Sequence, residues 1–376
     1  MSKLLKTYEI GSIAKPAWRV KGYAGRKITK SDLEYAHKWS NILGLNFEEL
    51  EKVLLGDEQN RKEKIQDWSA LFVLRMFEKA GLDYVYDGEQ WRVEMYEHVI
   101  RNLEGFRFSG WIKSFDYRYF RKASVVDEVS YDEPFYVDEF KAVKKMTDKP
   151  LKVPITGPYT LTDWSYNEYY EKKHSGIKKL PKRRYKARQD LIFDIVDNAL
   201  RPELEKLVQA GASWIQIDEP AVTTKETQEE MELFVEAYNR LTEGYDIDFS
   251  LHNCFSNYDL LAKYVPSLKK CTQLSLEFAN RDTRKEGKVH PGYDGLAAFL
   301  ETGYEGEYAP GFLDVHTDFL ETPELTRDRI LYVSDIVGAE NLWISPDCGL
   351  RTRTWEIAYK KLCNLSEGAN LAREKC

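Results

Sequence analysis

Cysteine is scarce in this chain, and its distribution excludes one class of protein. The 376 residues include five widely separated cysteines, an odd number: Cys254, Cys271, Cys348, Cys363 and Cys376. A disulfide framework is typical of short secreted chains with an even number of cysteines. We therefore expect these residues to be free thiols or metal ligands.

Long apolar runs and an excess of basic charge are also missing. No stretch of 18 apolar residues occurs, so we expect no membrane span. The N-terminal stretch has no apolar segment and no small-residue cleavage site, which predicts a cytoplasmic protein. With 55 basic and 62 acidic residues the net charge is −7, which argues against general nucleic-acid binding.

Short β-rich runs alternate with longer helical patterns along the chain. The hydrophobic content of 43% and the charged content of 31% are typical of a globular protein. In these runs Val, Ile, Leu or aromatic residues precede polar residues, Gly or Pro near the C-terminal end, as in buried parallel strands. The runs cover residues 7–12, 84–89, 152–157, 214–220, 248–254, 274–278, 312–317 and 342–348.

Eight such runs predict an α/β fold, a single (β/α)8 TIM barrel whose active site lies at the C-terminal face. An open doubly wound sheet is the alternative. Residues 13–60 and 105–140 do not fit the count, and we expect them to be insertions in one catalytic barrel domain spanning 1–376. Thr322 precedes Pro323 and Glu324, an arrangement typical of a helix start.

Polar side chains recur at or just beyond the C-terminal ends of the runs. In a barrel this face carries the active site. Buried polar groups at so many strand ends have no stability rationale unless they serve one another or a ligand. These residues are Ser12, Glu89, Asp218, His252, Cys254, Glu277, His316 and Cys348.

Four of these residues form a candidate zinc centre. His252 and Cys254 are two positions apart, so on a strand both point the same way. Glu277 ends the sixth run and Cys348 the last, and two thiolates, one imidazole and one carboxylate suit tetrahedral zinc (Zn2+). A His-x-Cys pair alone is weak evidence, because buried cysteine is usually a small apolar residue. The shared face of all four strengthens the prediction.

The charge of such a centre indicates its chemistry. Two thiolates and one carboxylate would leave zinc with a net negative charge, which makes it a poor Lewis acid for carbonyl groups. It could still displace the proton of a thiol whose free pKa is about 8.5. The pattern therefore favours S-alkylation over hydrolysis.

Ordered motifs extend along nearly the whole chain. They are Ile10-Gly11-Ser12, Gly88-Glu89, Gly110-Trp111-Ile112 with Arg118, Thr156-Gly157-Pro158 leading to Trp164-Ser165, Ile215-Gln216-Ile217-Asp218-Glu219-Pro220-Ala221, His252-Asn253-Cys254, Glu277, Asp314-Val315-His316, and Pro346-Asp347-Cys348-Gly349-Leu350-Arg351-Thr352-Arg353. In this order they resemble the C-terminal catalytic zinc barrel of cobalamin-independent methionine synthase, in a single-barrel core form.

The resemblance implies a zinc-dependent methyltransferase that makes methionine from homocysteine. It implies that His252, Cys254, Glu277 and Cys348 hold the metal. It further implies that Ile10, Gly11, Ser12, Glu89 and Asp218 bind homocysteine, that His316 takes part in proton transfer, and that Arg118 and Trp164 lie near the methyl donor.

Elementary chemistry is consistent with these roles. The carboxylates of Glu89 and Asp218 could accept hydrogen bonds from a substrate ammonium group. The hydroxyl of Ser12 could donate to the substrate carboxylate, and an unperturbed histidine such as His316 suits acid catalysis near neutral pH. From pattern alone, Asp218 could equally cap a helix, Glu89 could be a surface turn residue, and His316 could be a strand-end histidine with its hydrogen bonds satisfied.

The methyl donor is less well determined, because this chain departs from the family on the donor side. The family's His-Ser-Pro-Arg-like stretch reads His316-Thr317-Asp318-Phe319 here, and residues 90–94 lack the polar family pattern. Methyltetrahydrofolate would require protonation of its leaving amine, whereas a methylcorrinoid would not. We favour a methylcorrinoid, either free methylcobalamin or a corrinoid protein, and keep methyltetrahydrofolate as the alternative.

The basic run 172–188 and two other functions also need consideration. The run is expected near the barrel mouth and is either a solvated helix start or a docking site for an acidic donor partner. A zinc methyltransferase for another thiol such as coenzyme M is a second hypothesis, against which Ser12, Glu89 and Asp218 argue. A non-catalytic zinc-binding regulatory protein is a third.

Overall fold

The computed structural model describes residues 4–57, 59–113, 119–254 and 257–376. Its strands are β1 (Leu103–Lys113), β2 (Tyr119–Tyr131), β3 (Val153–Thr156), β4 (Tyr166–Asn167), β5 (Trp214–Asp218), β6 (Asp248–His252), β7 (Cys271–Ser275) and β8 (Glu307–Ala309). Its α-helices are α1 (Ala17–Tyr23), α2 (Lys30–Leu43), α3 (Phe47–Leu55), α4 (Arg61–Ala80), α5 (Met95–Arg101), α6 (Val137–Lys144), α7 (Pro158–Asp163), α8 (Glu168–Lys173), α9 (Leu180–Ile195), α10 (Arg201–Gln209), α11 (Gln228–Thr242), α12 (Asp259–Tyr264), α13 (Ala297–Leu300), α14 (Pro323–Val337) and α15 (Trp355–Arg373).

A ring of eight parallel segments forms the centre of the fold. Strands β3, β5, β6, β7 and β8 make one parallel sheet in that order. Three further segments complete the ring through the parallel bridges Thr7–Ile344, Tyr8–Tyr84, Val85–Leu151 and Tyr308–Leu342. The chain therefore has the predicted (β/α)8 barrel fold, and the alternative of an open doubly wound sheet is wrong.

Two of the predicted strand positions are shifted. Strand β7 ends at Ser275, so Glu277 lies beyond the strand rather than on it. The last strand before 342–348 is β8, and the predicted strand 312–317 is an irregular loop after it. That loop misled the prediction because Phe312, Leu313 and Val315 are as deeply buried as strand residues.

The two predicted insertions contain helices and strands of their own, outside the ring of parallel segments. Residues 13–60 contain α1, α2 and α3, and the capping box of Thr29 and the left-handed Gly44 set the two ends of α2. Within 105–140, β1 and β2 form an antiparallel hairpin, which β4 extends to three strands. This prediction was too long at its end, because α6 begins at Val137 and leads back to the barrel.

The helices cover the outer face of the ring, as binary patterning requires. Thr322 caps α14 by accepting a hydrogen bond from the backbone N–H of Leu325 at 3.0 Å, as the sequence predicts. The C-terminal α15 packs against α14 and α4, and Trp355 makes an edge-on contact with Trp39 at 5.3 Å between ring centroids. Among the described helices, none is both long and apolar enough to cross a membrane.

Candidate metal and substrate site

Three predicted metal ligands meet at the C-terminal mouth of the barrel. His252 ends β6, Cys254 follows it by two residues, and Cys348 lies on the loop after the segment 342–344. One ligand atom from each residue lies within 4.8 Å of the others, and the two cysteine sulfur atoms are 3.7 Å apart. Residues separated by 94 positions thus face a common centre.

The imidazole of His252 is fixed by its neighbour on β7. Its Nδ1 lies 3.2 Å from the carbonyl oxygen and 3.1 Å from the hydroxyl oxygen of Ser275, the residue paired with it across the sheet. Nε2 is buried and makes no hydrogen bond within the described residues. Metal-binding histidines have this arrangement, with one nitrogen held by an outer partner and the other directed at the ion.

The two thiols have strongly divergent acidities. Their mutual hydrogen bond lowers the pKa of Cys348 well below its usual value and raises the pKa of Cys254 well above it. Burial alone would lower the pKa of His252, but the contact with Cys348 outweighs burial and raises it. Deprotonation of both sulfurs at once requires a positive charge between them.

Glu277 lies beside this centre but outside the group of three. Its carboxylate accepts a hydrogen bond from Asn280, and its Oε1 lies 3.2 Å from Nε2 of His316. The hydrogen bond with Glu277 raises the pKa of His316 to about 9. The structure thus pairs the predicted fourth ligand with the predicted proton-transfer residue, a relation that the sequence analysis missed.

Asp347 is a second residue that the sequence analysis missed. Its Oδ1 accepts hydrogen bonds from the backbone N–H groups of Phe278 and Ala279 at 3.0 and 2.8 Å, and its Oδ2 accepts from that of Asn280 at 2.8 Å. This carboxylate ties the loop after Glu277 to the loop that carries Cys348. Its position next to a candidate ligand was the available signal.

Glu89, a predicted substrate residue at the mouth, lies in a strained turn. Glu89 has a φ of 57°, which is costly for a residue with a side chain and is typical of functional sites. Asp87 stabilises the turn by accepting from the backbone N–H groups of Glu89 at 2.8 Å and Trp91 at 3.0 Å. Gly11 allows close approach, because a Cβ there would lie 3.3 Å from Oε1 of Glu89.

The other predicted substrate residues lie next to the metal candidates. Asp218 ends β5 and is paired with His252 on β6. Burial raises the pKa of Asp218 to about 7. Ser12 adjoins the loop that carries Cys348, because a Cβ on Gly349 would lie 2.6 Å from the Ser12 hydroxyl oxygen. Ile10, two residues before Ser12, is buried.

Of the two residues predicted near the methyl donor, Trp164 and Arg118, the structure describes Trp164. Trp164 follows α7 and packs on Phe120 of the hairpin at 5.2 Å between ring centroids. Arg118 lies outside the described residues. Gln90 and Arg92, which depart from the family pattern, are buried: Gln90 accepts a hydrogen bond from Ser69, and Arg92 pairs with Glu139.

Comparison with known proteins agrees with this architecture. Residues 48–371 match the family described as "Cobalamin-independent synthase, Catalytic domain". A methionine synthase of Thermococcus kodakarensis is 35% identical over 373 residues, covering 99% of this chain and 94% of that protein. One from Thermoplasma acidophilum is 40% identical over 313 residues, covering 79% of this chain and 86% of that protein.

A solved structure provides a comparison of the fold. The B12-independent methionine synthase of Shewanella sp. W3-18-1, in complex with selenomethionine, superposes with a TM-score of 0.75 at 23% identity and 99% coverage of both chains. Fold, site and relatives together define a barrel enzyme of the methyltransferase class. The chain belongs to the cobalamin-independent methionine synthase family, as its catalytic domain.

Proposed function

We propose that this chain is a zinc-dependent methyltransferase that methylates the thiol of homocysteine, with residues 1–376 acting as one catalytic domain. One observation carries the metal part of the proposal. Tetrahedral zinc with Zn–S bonds of about 2.3 Å requires two sulfur ligands about 3.8 Å apart. The sulfur atoms of Cys254 and Cys348 are 3.7 Å apart, and the buried Nε2 of His252 lacks a hydrogen bond among the described residues.

The donor set therefore fits zinc, with Glu277 as the proposed fourth ligand. Two sulfurs and an imidazole nitrogen are ligands that zinc prefers. When bound, zinc would lower the pKa of the substrate thiol and keep its sulfur as a thiolate at neutral pH. Glu277 already contacts His316. We propose that its carboxylate would give up the fourth ligand position to the substrate sulfur and keep its contact with that histidine.

The chain's own residues would orient the substrate. Asp218 and Glu89 provide carboxylates for the ammonium group of homocysteine. The hydroxyl of Ser12 and the backbone at Ile10 and Gly11 lie at the same mouth and would bind the substrate carboxylate. Held in this way, the substrate sulfur would point towards the centre formed by the cysteines.

For the methyl donor we propose a methylcorrinoid, free or protein-bound, rather than methyltetrahydrofolate. Two observations support this choice. Gln90 and Arg92 make buried structural contacts and are not available to a polar pterin. Lys178, Lys179 and Lys182 are exposed around the start of α9, whose first turn contains no acidic residue to balance them. Trp164, and Arg118 by resemblance, would border the donor.

The other two hypotheses are not favoured. Methylation of a thiol such as coenzyme M would not require two buried carboxylates for an ammonium group. A regulatory zinc protein would not require a strained Glu89 at the barrel mouth. Membership of an enzyme family argues in the same direction.

The metal proposal is tested by zinc analysis and by one substitution. We expect purified protein to contain about one zinc per chain and Cys348→Ser to lose it together with activity. Cys363→Ser is the matched control, since Cys363 lies on α15 away from the site. Normal zinc content in Cys348→Ser would contradict the assignment.

The donor proposal requires a separate assay. Homocysteine is incubated with methylcobalamin, methyltetrahydrofolate or its polyglutamyl form, and methionine is measured. We expect methionine from methylcobalamin. Methionine from the folates alone would overturn the donor proposal and leave the reaction class intact.

A further inference from the structure

The interior of the barrel directly beneath the substrate residues is unusually polar. Lys152, Gln216, Gln273 and Tyr8 are all buried there, each at most 1% exposed. TIM-barrel interiors are usually filled by branched apolar side chains. Burying an ammonium group and two amides lowers stability unless every group is paired, so this polar layer requires a reason beyond packing.

Lys152 and Gln216 connect two parts of the substrate site. Nζ of Lys152 donates to Oε1 of Gln216 at 2.5 Å and to the carbonyl oxygen of Ile10 at 3.2 Å. Nε2 of Gln216 donates to the same Ile10 carbonyl at 2.8 Å and to Oδ1 of Asp218 at 2.6 Å. The Ile10–Ser12 segment and Asp218 are thus held by one pair of side chains.

Lys152 also determines which way the amide of Gln216 faces. An ammonium group can only donate hydrogen bonds, so the amide oxygen must face Lys152. The amide nitrogen must then face Asp218 and occupy its Oδ1. Within the described residues no other group donates to the Asp218 carboxylate, so its Oδ2 remains to accept from a ligand.

We propose that Lys152 and Gln216 are positioning residues that align the carboxylate of Asp218 for the ammonium group of the substrate, with the Ile10 carbonyl as their shared anchor. Without the ammonium group of Lys152, the amide oxygen of Gln216 loses the donor that holds it, so the amide and its hydrogen bond to Asp218 are held less firmly. The carboxylate would then shift and bind a substrate ammonium less well. This inference rests on the proposed use of homocysteine.

The test compares two thiols and three variants in the zinc-loaded enzyme, with the methyl donor that the wild type uses. Homocysteine has the ammonium group, and 4-mercaptobutanoate has the same thiol and carboxylate without it. Lys152→Met removes the donor at similar length. Gln216→Glu keeps an acceptor for Lys152 but cannot donate to Asp218. Tyr8→Phe is the control, because it keeps the ring that faces Nζ of Lys152 in the same layer and removes the hydroxyl that donates to Gln273.

We expect both positioning variants to raise KM for homocysteine about tenfold, with kcat within about twofold. KM for 4-mercaptobutanoate should change less than about twofold, because that thiol does not use Asp218. Tyr8→Phe should leave both thiols unaffected. A merely structural role would lower the melting temperature or change both thiols equally.

Equal changes for both thiols, or no change for homocysteine, would overturn the positioning role while the proposed function stands. If Lys152→Met does not fold, Gln216→Glu gives the same comparison with the lysine still paired. A zinc-loaded wild type that methylates no homocysteine with any donor would overturn the proposed function and this inference with it.

Discussion

The carboxylate of Asp347 should determine how tightly the metal centre binds zinc. It accepts three backbone hydrogen bonds from residues 278–280 and so fixes the loop of Glu277 relative to Cys348. In Asp347→Asn one carboxylate oxygen becomes an amide nitrogen, which cannot accept from the N–H of Asn280. Leaving a backbone N–H without its acceptor costs about 1–3 kcal/mol, so we expect a loss of this order.

That loss can be measured as zinc affinity. Since about 1.4 kcal/mol corresponds to a factor of ten, zinc should bind roughly 10- to 100-fold more weakly in Asp347→Asn. Competition with a chromophoric chelator measures the affinity, and excess zinc should restore most of the activity. Glu203→Gln is a matched control, because the Glu203 carboxylate on α10 accepts backbone N–H bonds from residues 135–137, none of which is a predicted site residue.

Unchanged zinc affinity in Asp347→Asn, with a lower melting temperature, would refute this reasoning. It would mean that Asp347 stabilises the fold without positioning the ligands. An equal loss of affinity in Glu203→Gln would also refute it, because the effect would then not be specific to the loop of Glu277.

Two further predictions concern acid stability and the donor partner. Burial lowers the pKa of His98 to about 3 in the folded chain, against about 6.5 in the unfolded chain. As the pH falls below about 6.5, the unfolded chain binds a proton that the folded chain does not, so the stability of the fold decreases. Between pH 7 and pH 5 the loss should be about 1–2 kcal/mol by urea unfolding, and His98→Gln should lose less over the same range. Reversing Lys178, Lys179 and Lys182 to Glu should slow methylation from a corrinoid protein but not from free methylcobalamin. Reversal of Lys269 and Lys270, which precede β7 at the opposite end of the barrel, should change neither rate, and equal effects of both reversals would exclude a docking site at α9.

The sequence by itself determined the barrel and most of the residues at its mouth. Strand-like runs with polar ends predict both the layer of parallel strands and the face that carries the side chains. His252 and Cys254 share a direction because alternate strand residues do, and the ring closure brings Cys348 to them. These are local regularities that a single chain displays in its order of residues.

Only the tertiary structure decided which of these side chains contact one another. Residues 312–317 have the composition of a strand because the loop packs into the core, and no local pattern distinguishes the two cases. Lys152 looks like an ordinary residue at the start of a strand. It meets Gln216, 64 positions away, and Ile10, 142 positions away, because closure of the ring turns them all towards one axis.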